Sequence, residues 1–98
     1  MNIQMQLVDI FHLSTGDIVF AGRFSEEIPV IRNRNKYMAN LVVNGSLYQE
    51  NIQITGEMSG GRHPDGYRAI ATIEEVDLSS EFIKTHDCQL ILLERSSE

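Results

Sequence analysis

The sequence has few of the features that mark secreted, membrane or disulfide-rich proteins. It contains one cysteine and two prolines among 98 residues. A single cysteine cannot form an internal disulfide, and no apolar run approaches the roughly 18 residues that cross a bilayer. The N-terminal residues show neither a basic start nor a long apolar segment, as a secretory signal would. We therefore expect a cytoplasmic location and no membrane segment.

The composition is that of a folded globular protein. Hydrophobic residues make up 42% of the chain and charged residues 22%. Disordered chains combine a low hydrophobic content with a high net charge, so this composition favours a folded protein. A chain of this length buries one core of ordinary size. We predict a single domain over residues 1–95, followed by a polar tail at residues 96–98.

Acidic residues are concentrated in the C-terminal part of the chain. The net charge is -6; residues 74–98 contain seven acidic residues against two basic ones, whereas residues 1–37 contain four of each. A concentration of negative charge repels phosphate backbones and favours basic partners. An acidic excess can also do no more than keep a protein soluble.

Short apolar runs separated by turn signals predict six strands. These lie at residues 5–13, 17–24, 37–43, 47–55, 67–76 and 88–93. The turn from Ser14 to Asp17 joins the first two, and Asn44-Gly45 is a strong two-residue hairpin signal between the third and fourth. Residues 56–66 hold four of the seven glycines and predict a loop.

The C-terminal part adds at most one short helical turn. Residues 77–84 can form it, with Asp77 or Ser79 capping the free backbone N–H groups. Cys88 begins an apolar run and is interpreted as a small core residue rather than a thiol activated by His86. Short strands and frequent turns favour an antiparallel barrel or a sandwich.

The stretch VDIFHLSTGDIVFAGRF, from Val8 to Phe24, resembles a known pattern. It is similar to the start of the second domain of translational GTPases such as elongation factor Tu. The matching positions are Val8, Asp9, Phe11, Gly16, Val19, Gly22 and Arg23. A looser likeness covers residues 68–75 and 87–93, and the middle of the chain does not match.

This resemblance implies an all-β fold, a small six-stranded antiparallel β-barrel. In the family the barrel contacts tRNA ends, neighbouring domains or ribosomal RNA, but none of those contact residues can be placed in this sequence. The chain has no Gly-x-x-x-x-Gly-Lys-Ser/Thr motif, so nucleotide hydrolysis is not carried over. It also lacks the family's Gly-x-x-x-x-Gly-Asp segment after the Gly-Arg pair.

One basic segment is a candidate for partner binding. In an extended chain Arg32, Arg34 and Lys36 share one face, and Tyr37 could add a stacking ring for single-stranded nucleic acid. Three cations on an acidic chain are few for a nucleic-acid domain, however. The alternative is a solvated loop, or a loop paired with the acidic C-terminal part of the same or another subunit.

The loop from Gly60 to Gly66 is the second candidate. Arg62, His63 and Asp65 could bind an anion, or act as a base with its orienting carboxylate. A hairpin loop whose Pro64-Asp65-Gly66 supplies turn geometry is the plainer interpretation. The three histidines and one cysteine match no metal-ligand spacing.

Together these features predict a non-enzymatic binding module without cofactor or metal. Its partner would be a protein, including a basic one, or a ribonucleoprotein, with nucleic acid alone disfavoured by charge. A compact acidic protein could instead neutralise a basic toxin, as immunity proteins do. A third hypothesis is an enzyme that uses Arg62, His63 and Asp65.

Overall fold

The structure, a computed structural model, describes residues 2–26, 37–58 and 66–94. Within these residues six strands and one short helix follow one another along the chain. They are β1 (Asn2–His12), β2 (Ile18–Phe24), β3 (Tyr37–Val43), β4 (Ser46–Glu57), β5 (Arg68–Thr72), α1 (Ser80–Thr85) and β6 (Cys88–Glu94).

The six strands close into an antiparallel barrel. Their order around it is β1-β2-β5-β4-β3-β6, and β6 returns to pair with β1. Each strand therefore has two hydrogen-bonded neighbours, which satisfies the backbone groups that a sheet edge would expose. The predicted all-β fold, a small six-stranded antiparallel barrel with one short helical turn, is confirmed.

Both hairpins that the turn signals predict are present. Between β1 and β2, Gly16 has φ +98° and the Leu13 N–H donates to the Asp17 carbonyl. Between β3 and β4, Asn44 and Gly45 have φ values of 50° and 83°, the left-handed pair that a tight two-residue hairpin needs.

The boundaries of β5 and β4 differ from the prediction. The alternation through residue 76 predicts a long fifth strand, but β5 ends at Thr72. The Thr72 hydroxyl donates to the Gln53 carbonyl and accepts the Glu74 N–H, so the chain turns out of the sheet there. The strand β4 continues to Glu57 and so includes Gly56, whereas the glycine content of residues 56–66 predicts a loop there.

Alternate residues of every strand fill the barrel interior. The largest fully buried side chains are Phe20, Met5, Ile10, Leu41, Ile52, Ile54, Ile70, Ile83, Leu90, Leu92, Val76 and Thr72. On β2 this inward series includes Gly22, where a Cβ atom would lie 2.1 Å from the Gln6 carbonyl oxygen. Only glycine fits this close approach of β1 and β2.

One end of the barrel, which we call the helix end, is crossed by residues 73–87. Val76, Leu78 and the α1 residue Ile83 are buried there and join the core. Side chains from the strands hold this segment: His12 Nε2 donates to the Leu78 carbonyl at 2.7 Å and Gln49 Nε2 to the Glu75 carbonyl at 3.0 Å. The segment thus closes the interior with apolar side chains.

The helix α1 begins as the sequence predicts. Ser79 is its N-cap, with Oγ accepting the Phe82 N–H at 3.1 Å, so Ser79 rather than Asp77 takes the capping role. The helix is only six residues long. Its position therefore depends on packing of Ile83 rather than on intrinsic helix stability.

The opposite end, which we call the Arg68 end, is where β2 and β4 finish and β3 and β5 begin. Phe24, Glu57 and Arg68 lie at these strand termini. Arg68 lies on the same inner face of β5 as Ile70 and Thr72, because successive strand residues alternate between the two faces.

Candidate binding surface

The two segments with sequence-predicted site residues meet the described structure at one end of the barrel. Arg32, Arg34 and Lys36, like Arg62, His63 and Asp65, lie outside the described residues. The described residues on either side of these two segments, Glu26 and Tyr37 and then Met58 and Gly66, lie at the Arg68 end. Tyr37 is described: it begins β3, is 9% exposed and packs with the core, so its ring is not displayed as an open stacking surface.

An ion pair stands at the mouth of the Arg68 end. Arg68 Nε donates to Glu57 Oε2 at 2.7 Å and Arg68 Nη2 to Glu57 Oε1 at 2.6 Å. The side chains are 20% and 9% exposed, and the guanidinium also lies 4.7 Å from the centroid of the Phe24 ring. A bidentate, partly dehydrated pair of this kind is geometrically specific.

Beside it, a second arginine stacks on an aromatic ring on the outer face. The Arg23 guanidinium carbon lies 4.5 Å from the centroid of Tyr67. Arg23 follows Gly22 on β2 and Tyr67 precedes Arg68, the register partner of Gly22, so sheet pairing brings the two side chains together. Arg23 remains exposed.

A carboxylate on β1 holds the helix α1 against the barrel. Asp9 accepts hydrogen bonds from the Ser80 hydroxyl and the Ile10 N–H, and Lys84 Nζ lies 3.7 Å away. Burial raises the pKa of Asp9, but the Ser80 and Ile10 hydrogen bonds and the Lys84 charge outweigh it, so the pKa lies below its ordinary value. The ionised carboxylate is therefore the form that anchors α1.

The sole cysteine is unsuited to nucleophilic chemistry. Cys88 is fully buried at the start of β6, and burial, with the adjacent Asp87 charge, raises the pKa of its thiol. The His86 ring stacks on Phe82 with 3.9 Å between centroids, and its Nδ1 lies 3.0 Å from the Phe82 carbonyl oxygen. The interpretation of Cys88 as a core residue is confirmed.

The outer face of four adjacent strands carries small and apolar side chains. One row across the sheet pairs Phe11 with Val19, Val19 with Ala71 and Ala71 with Gly56. The next row pairs Asp9 with Ala21 and Ala21 with Ala69, whose carbonyl accepts the Met58 N–H. We call the apolar members of these rows the apolar wall: Phe11, Val19, Ala21, Gly56, Met58, Ala69 and Ala71.

The apolar wall follows the convex outer surface of the barrel and is unevenly exposed. Val19, Ala21, Ala69 and Ala71 are short side chains that are buried or half-buried. Phe11 on β1 is 46% exposed and Met58, directly after β4, is 47% exposed. At the helix end Ile73 follows β5 and is 70% exposed. Exposed apolar side chains of this size on the outer face are candidates for an interaction site.

Sequence reasoning missed the apolar wall although a signal for it was present. β2 and β5 are apolar on both faces, with Phe20 and Ile70 inside, Val19 and Ala71 outside. A strand of a barrel whose outer surface is solvated needs only an apolar inner face. An apolar outer face on the same strand therefore indicates a further role. The wall also joins residues up to 60 positions apart in the chain, from Phe11 to Ala71.

Other kinds of site are not evident in the part of the chain that the structure describes. No group of three or more His, Cys, Asp or Glu side chains there is placed to hold a metal ion. Among the same residues, no helix has the length and apolar character needed to span a membrane. The hypothesis of an enzyme built on Arg62, His63 and Asp65 falls outside the described residues.

Comparison with known proteins adds no relative. No family model, no curated protein and no solved structure matches this chain. The resemblance of Val8 to Phe24 to the second domain of translational GTPases therefore stays a prediction.

Proposed function

We propose that the protein is a non-enzymatic binding module and that the apolar wall is its contact surface for a protein or ribonucleoprotein partner. The observation that carries the proposal is the placement of an apolar face on the outside of four paired strands. Burying the exposed parts of Phe11 and Met58 against a partner removes apolar area from water, which is the main driving force of association.

The position of the wall also supports a binding role. A protein stabilised only as a monomer gains little from placing phenylalanine and methionine side chains in water, since alanine or a charged residue serves solubility better. Phe11, Val19, Gly22 and Arg23 belong to the stretch that resembles the translation-factor barrel, and we propose a likeness to that module in fold.

A direct test is affinity capture from the source cell with two matched variants. Phe11→Ser with Met58→Ser, the wall variant, removes two large exposed side chains from the apolar wall. Leu47→Ser with Tyr48→Ser, the helix-end variant, removes two comparably exposed side chains elsewhere, at 58% and 48% exposure. Thermal unfolding of both is compared with the wild-type protein first.

We expect proteins retained stoichiometrically by the wild-type protein to be lost from the wall variant and kept by the helix-end variant. The proposal would be contradicted if a correctly folded wall variant retained the same proteins as the wild-type protein. It would also be contradicted if both variants lost those proteins equally.

A second candidate function rests on the charge of the helix end. Residues 73–87 contain five exposed acidic side chains, Glu74, Glu75, Asp77, Glu81 and Asp87, against one lysine. The exposed Tyr48 lies beside this segment, with its hydroxyl 3.5 Å from the Asp77 carbonyl oxygen. An acidic surface with apolar anchors could fill the cationic site of a basic protein, which is the inhibitor hypothesis.

The same variants separate this candidate from the first. An inhibitor of a basic protein would lose its partner in the helix-end variant and in a Glu74→Lys, Glu75→Lys variant, and binding would weaken steeply as salt is raised. The wall variant would bind as the wild-type protein does.

A further inference from the structure

Three exposed apolar side chains lie near one another on one side of the barrel, toward the helix end. Phe11 on β1, Leu13 directly after β1 and Ile73 directly after β5 are 46%, 39% and 70% exposed. Only β2 separates β1 from β5, so two interstrand spacings of about 4.8 Å put the backbones of these strands roughly 10 Å apart. We call these three residues the hairpin patch.

The strand register places an acidic residue between two members of the hairpin patch. The Leu13 N–H donates to the Asp17 carbonyl at 2.9 Å, so these residues lie opposite each other. The strands β2 and β5 pair through Ile18 and Thr72. Asp17 precedes the first of these and Ile73 follows the second, so both lie one position further toward the helix end. Asp17 is therefore flanked by Leu13 on one side and Ile73 on the other.

Two carboxylates belong to the surface around the hairpin patch. The Ile18 side chain is inside the barrel, so the alternation of strand residues puts Asp17 on the outer face, where it is half-buried. Glu74 directly follows Ile73 and is exposed. Among the described residues, neither Asp17 nor Glu74 forms an ion pair.

Basic side chains on the adjoining elements do not neutralise these two carboxylates. On the outer face of β1, Lys84 of α1 lies 3.7 Å from Asp9, and this pair balances its own charge. The one basic residue of β2 is Arg23, which stacks on Tyr67 at the Arg68 end. Arg23 is six residues from Asp17, about 20 Å of strand, which exceeds the Debye length of about 8 Å at physiological salt. The hairpin patch therefore has an acidic surround.

We infer that the hairpin patch binds a segment of a protein partner in which apolar side chains are flanked by lysine or arginine. The inference rests on the proposed function, because Phe11 also belongs to the apolar wall, and it adds the chemistry of the partner. Apolar contact supplies the affinity, and the cations of the partner offset the charges of Asp17 and Glu74. Lysine and arginine suit this surface because their aliphatic stems pack on apolar groups while their charged ends reach carboxylates.

The test uses short displayed peptides as probes. Three libraries share a randomised apolar centre and differ in the residues that flank it, which are lysine and arginine, aspartate and glutamate, or serine and glycine. Peptides are selected on the wild-type protein at low salt. The affinities of the winners are then measured at low and at high salt by fluorescence anisotropy.

One pair of variants tests the apolar part of the surface. Leu13→Ser with Ile73→Ser, the patch variant, removes two exposed side chains and leaves every residue of the apolar wall unchanged. The helix-end variant is its control, since it removes two exposed side chains on β4. Thermal unfolding of both is compared with that of the wild-type protein before binding is measured.

A second pair of variants tests the charges. Asp17→Asn with Glu74→Gln, the charge variant, removes the two carboxylates that flank the hairpin patch. Glu26→Gln with Glu50→Gln removes two exposed carboxylates elsewhere, one after β2 at the Arg68 end and one on β4. Both variants have the same net charge, so a difference between them reports the position of the charges.

We expect winners from the library with basic flanks, and about a tenfold or greater loss of their affinity for the patch variant but not for the helix-end variant. The charge variant should lose about threefold or more at low salt, and its control should lose less. Raising the salt concentration should weaken binding to the wild-type protein and narrow its difference from the charge variant.

Several results would overturn the inference. These are the absence of any binder, equal enrichment of peptides with acidic or neutral flanks, equal binding of the winners to the wild-type protein and the patch variant, and equal binding to the charge variant and its control. A wild-type dimer that dissociates in the patch variant, measured by sedimentation, would assign the hairpin patch to a second copy of this chain and would also overturn it. If the wall variant loses its cellular partners and the patch variant keeps them, the proposed function stands and only this inference is wrong.

Discussion

The helix end and the Arg68 end of the barrel close the same interior with different chemistry. At the helix end Val76, Leu78 and Ile83 add apolar side chains to the core. At the Arg68 end the Arg68 and Glu57 pair lies over the interior, with Phe24 against the guanidinium. The first closure is non-directional and tolerant of small shifts, whereas the second depends on charge and geometry.

The two ends of the barrel therefore contribute differently to the free energy of unfolding. Apolar closure gains free energy in proportion to the area buried, while a partly buried ion pair approximately balances dehydration against attraction. The described residues that flank the two segments with sequence-predicted site residues also lie at the Arg68 end. A polar closure there keeps charged groups close to the interior without leaving them unpaired.

The largest effect is expected from opening the helix end. Ile83 is 2% exposed, and Ile83→Ala removes its contacts with the core and leaves a cavity. We expect the free energy of unfolding in urea to fall by about 3 kcal/mol. Glu81→Ala, on an exposed position of the same helix, is the control and should change it by less than about 0.5 kcal/mol. Equal effects would mean that the helix does not close the core.

A smaller effect is expected from breaking the ion pair at the Arg68 end. Glu57→Gln removes the negative charge that Arg68 contacts at 2.6 and 2.7 Å, and we expect a loss of about 2 kcal/mol in the free energy of unfolding. Replacing both residues, by Glu57→Leu with Arg68→Met, should recover most of that loss because neither charge is then dehydrated. A double variant less stable than Glu57→Gln would show that the pair contributes stability of its own.

The smallest effect concerns the pH dependence of the helix end. The pKa of Asp9 is lower in the folded protein than its ordinary value of 3.8. At low pH the unfolded chain therefore binds more protons at Asp9 than the folded protein does. The stabilising contribution of the Asp9 carboxylate is present above about pH 4 and is lost as the pH falls through the folded pKa. Asp9→Asn should flatten that part of the curve of unfolding free energy against pH.

The Asp9 effect is measured by urea unfolding between pH 2.5 and 7 for the wild-type protein and Asp9→Asn. Lys84→Met is the companion variant, because it removes the weaker of the Asp9 contacts and should shift the curve less. Parallel curves for the wild-type protein and Asp9→Asn would contradict the assignment of Asp9 as the group that anchors α1 in its ionised form.

Local sequence signals predicted much of the secondary structure because the physics behind them is local. Asn44-Gly45 accommodates positive φ, Ser79 caps the helix through its own hydroxyl, and Gly16 sits in the turn between β1 and β2. The boundary of β5 was wrong because Thr72 ends it through a bond to Gln53, which is remote in sequence. Alternation alone does not report such a contact.

The sequence pattern did not show which face of β5 contributes to the candidate binding surface, for a related reason. Tyr67, Ala69, Ala71 and Ile73 alternate with Arg68, Ile70, Thr72 and Glu74, and the first set has the more apolar appearance. The structure turns Ile70 and Thr72 inward and Ala69 and Ala71 outward. Because β5 pairs with β2 on one side and β4 on the other, the register of both neighbours decides which face is inside.

Several features follow from the amino-acid sequence: an all-β chain of short strands, two tight hairpins, a capped helical turn and a buried Cys88. Each follows from a residue's own backbone preference or from a short periodic pattern. The strand order, the burial of Arg68 with Glu57 and the assembly of the apolar wall depend instead on the tertiary fold. Those features join residues far apart in the chain, and their free energy exists only once the barrel has closed.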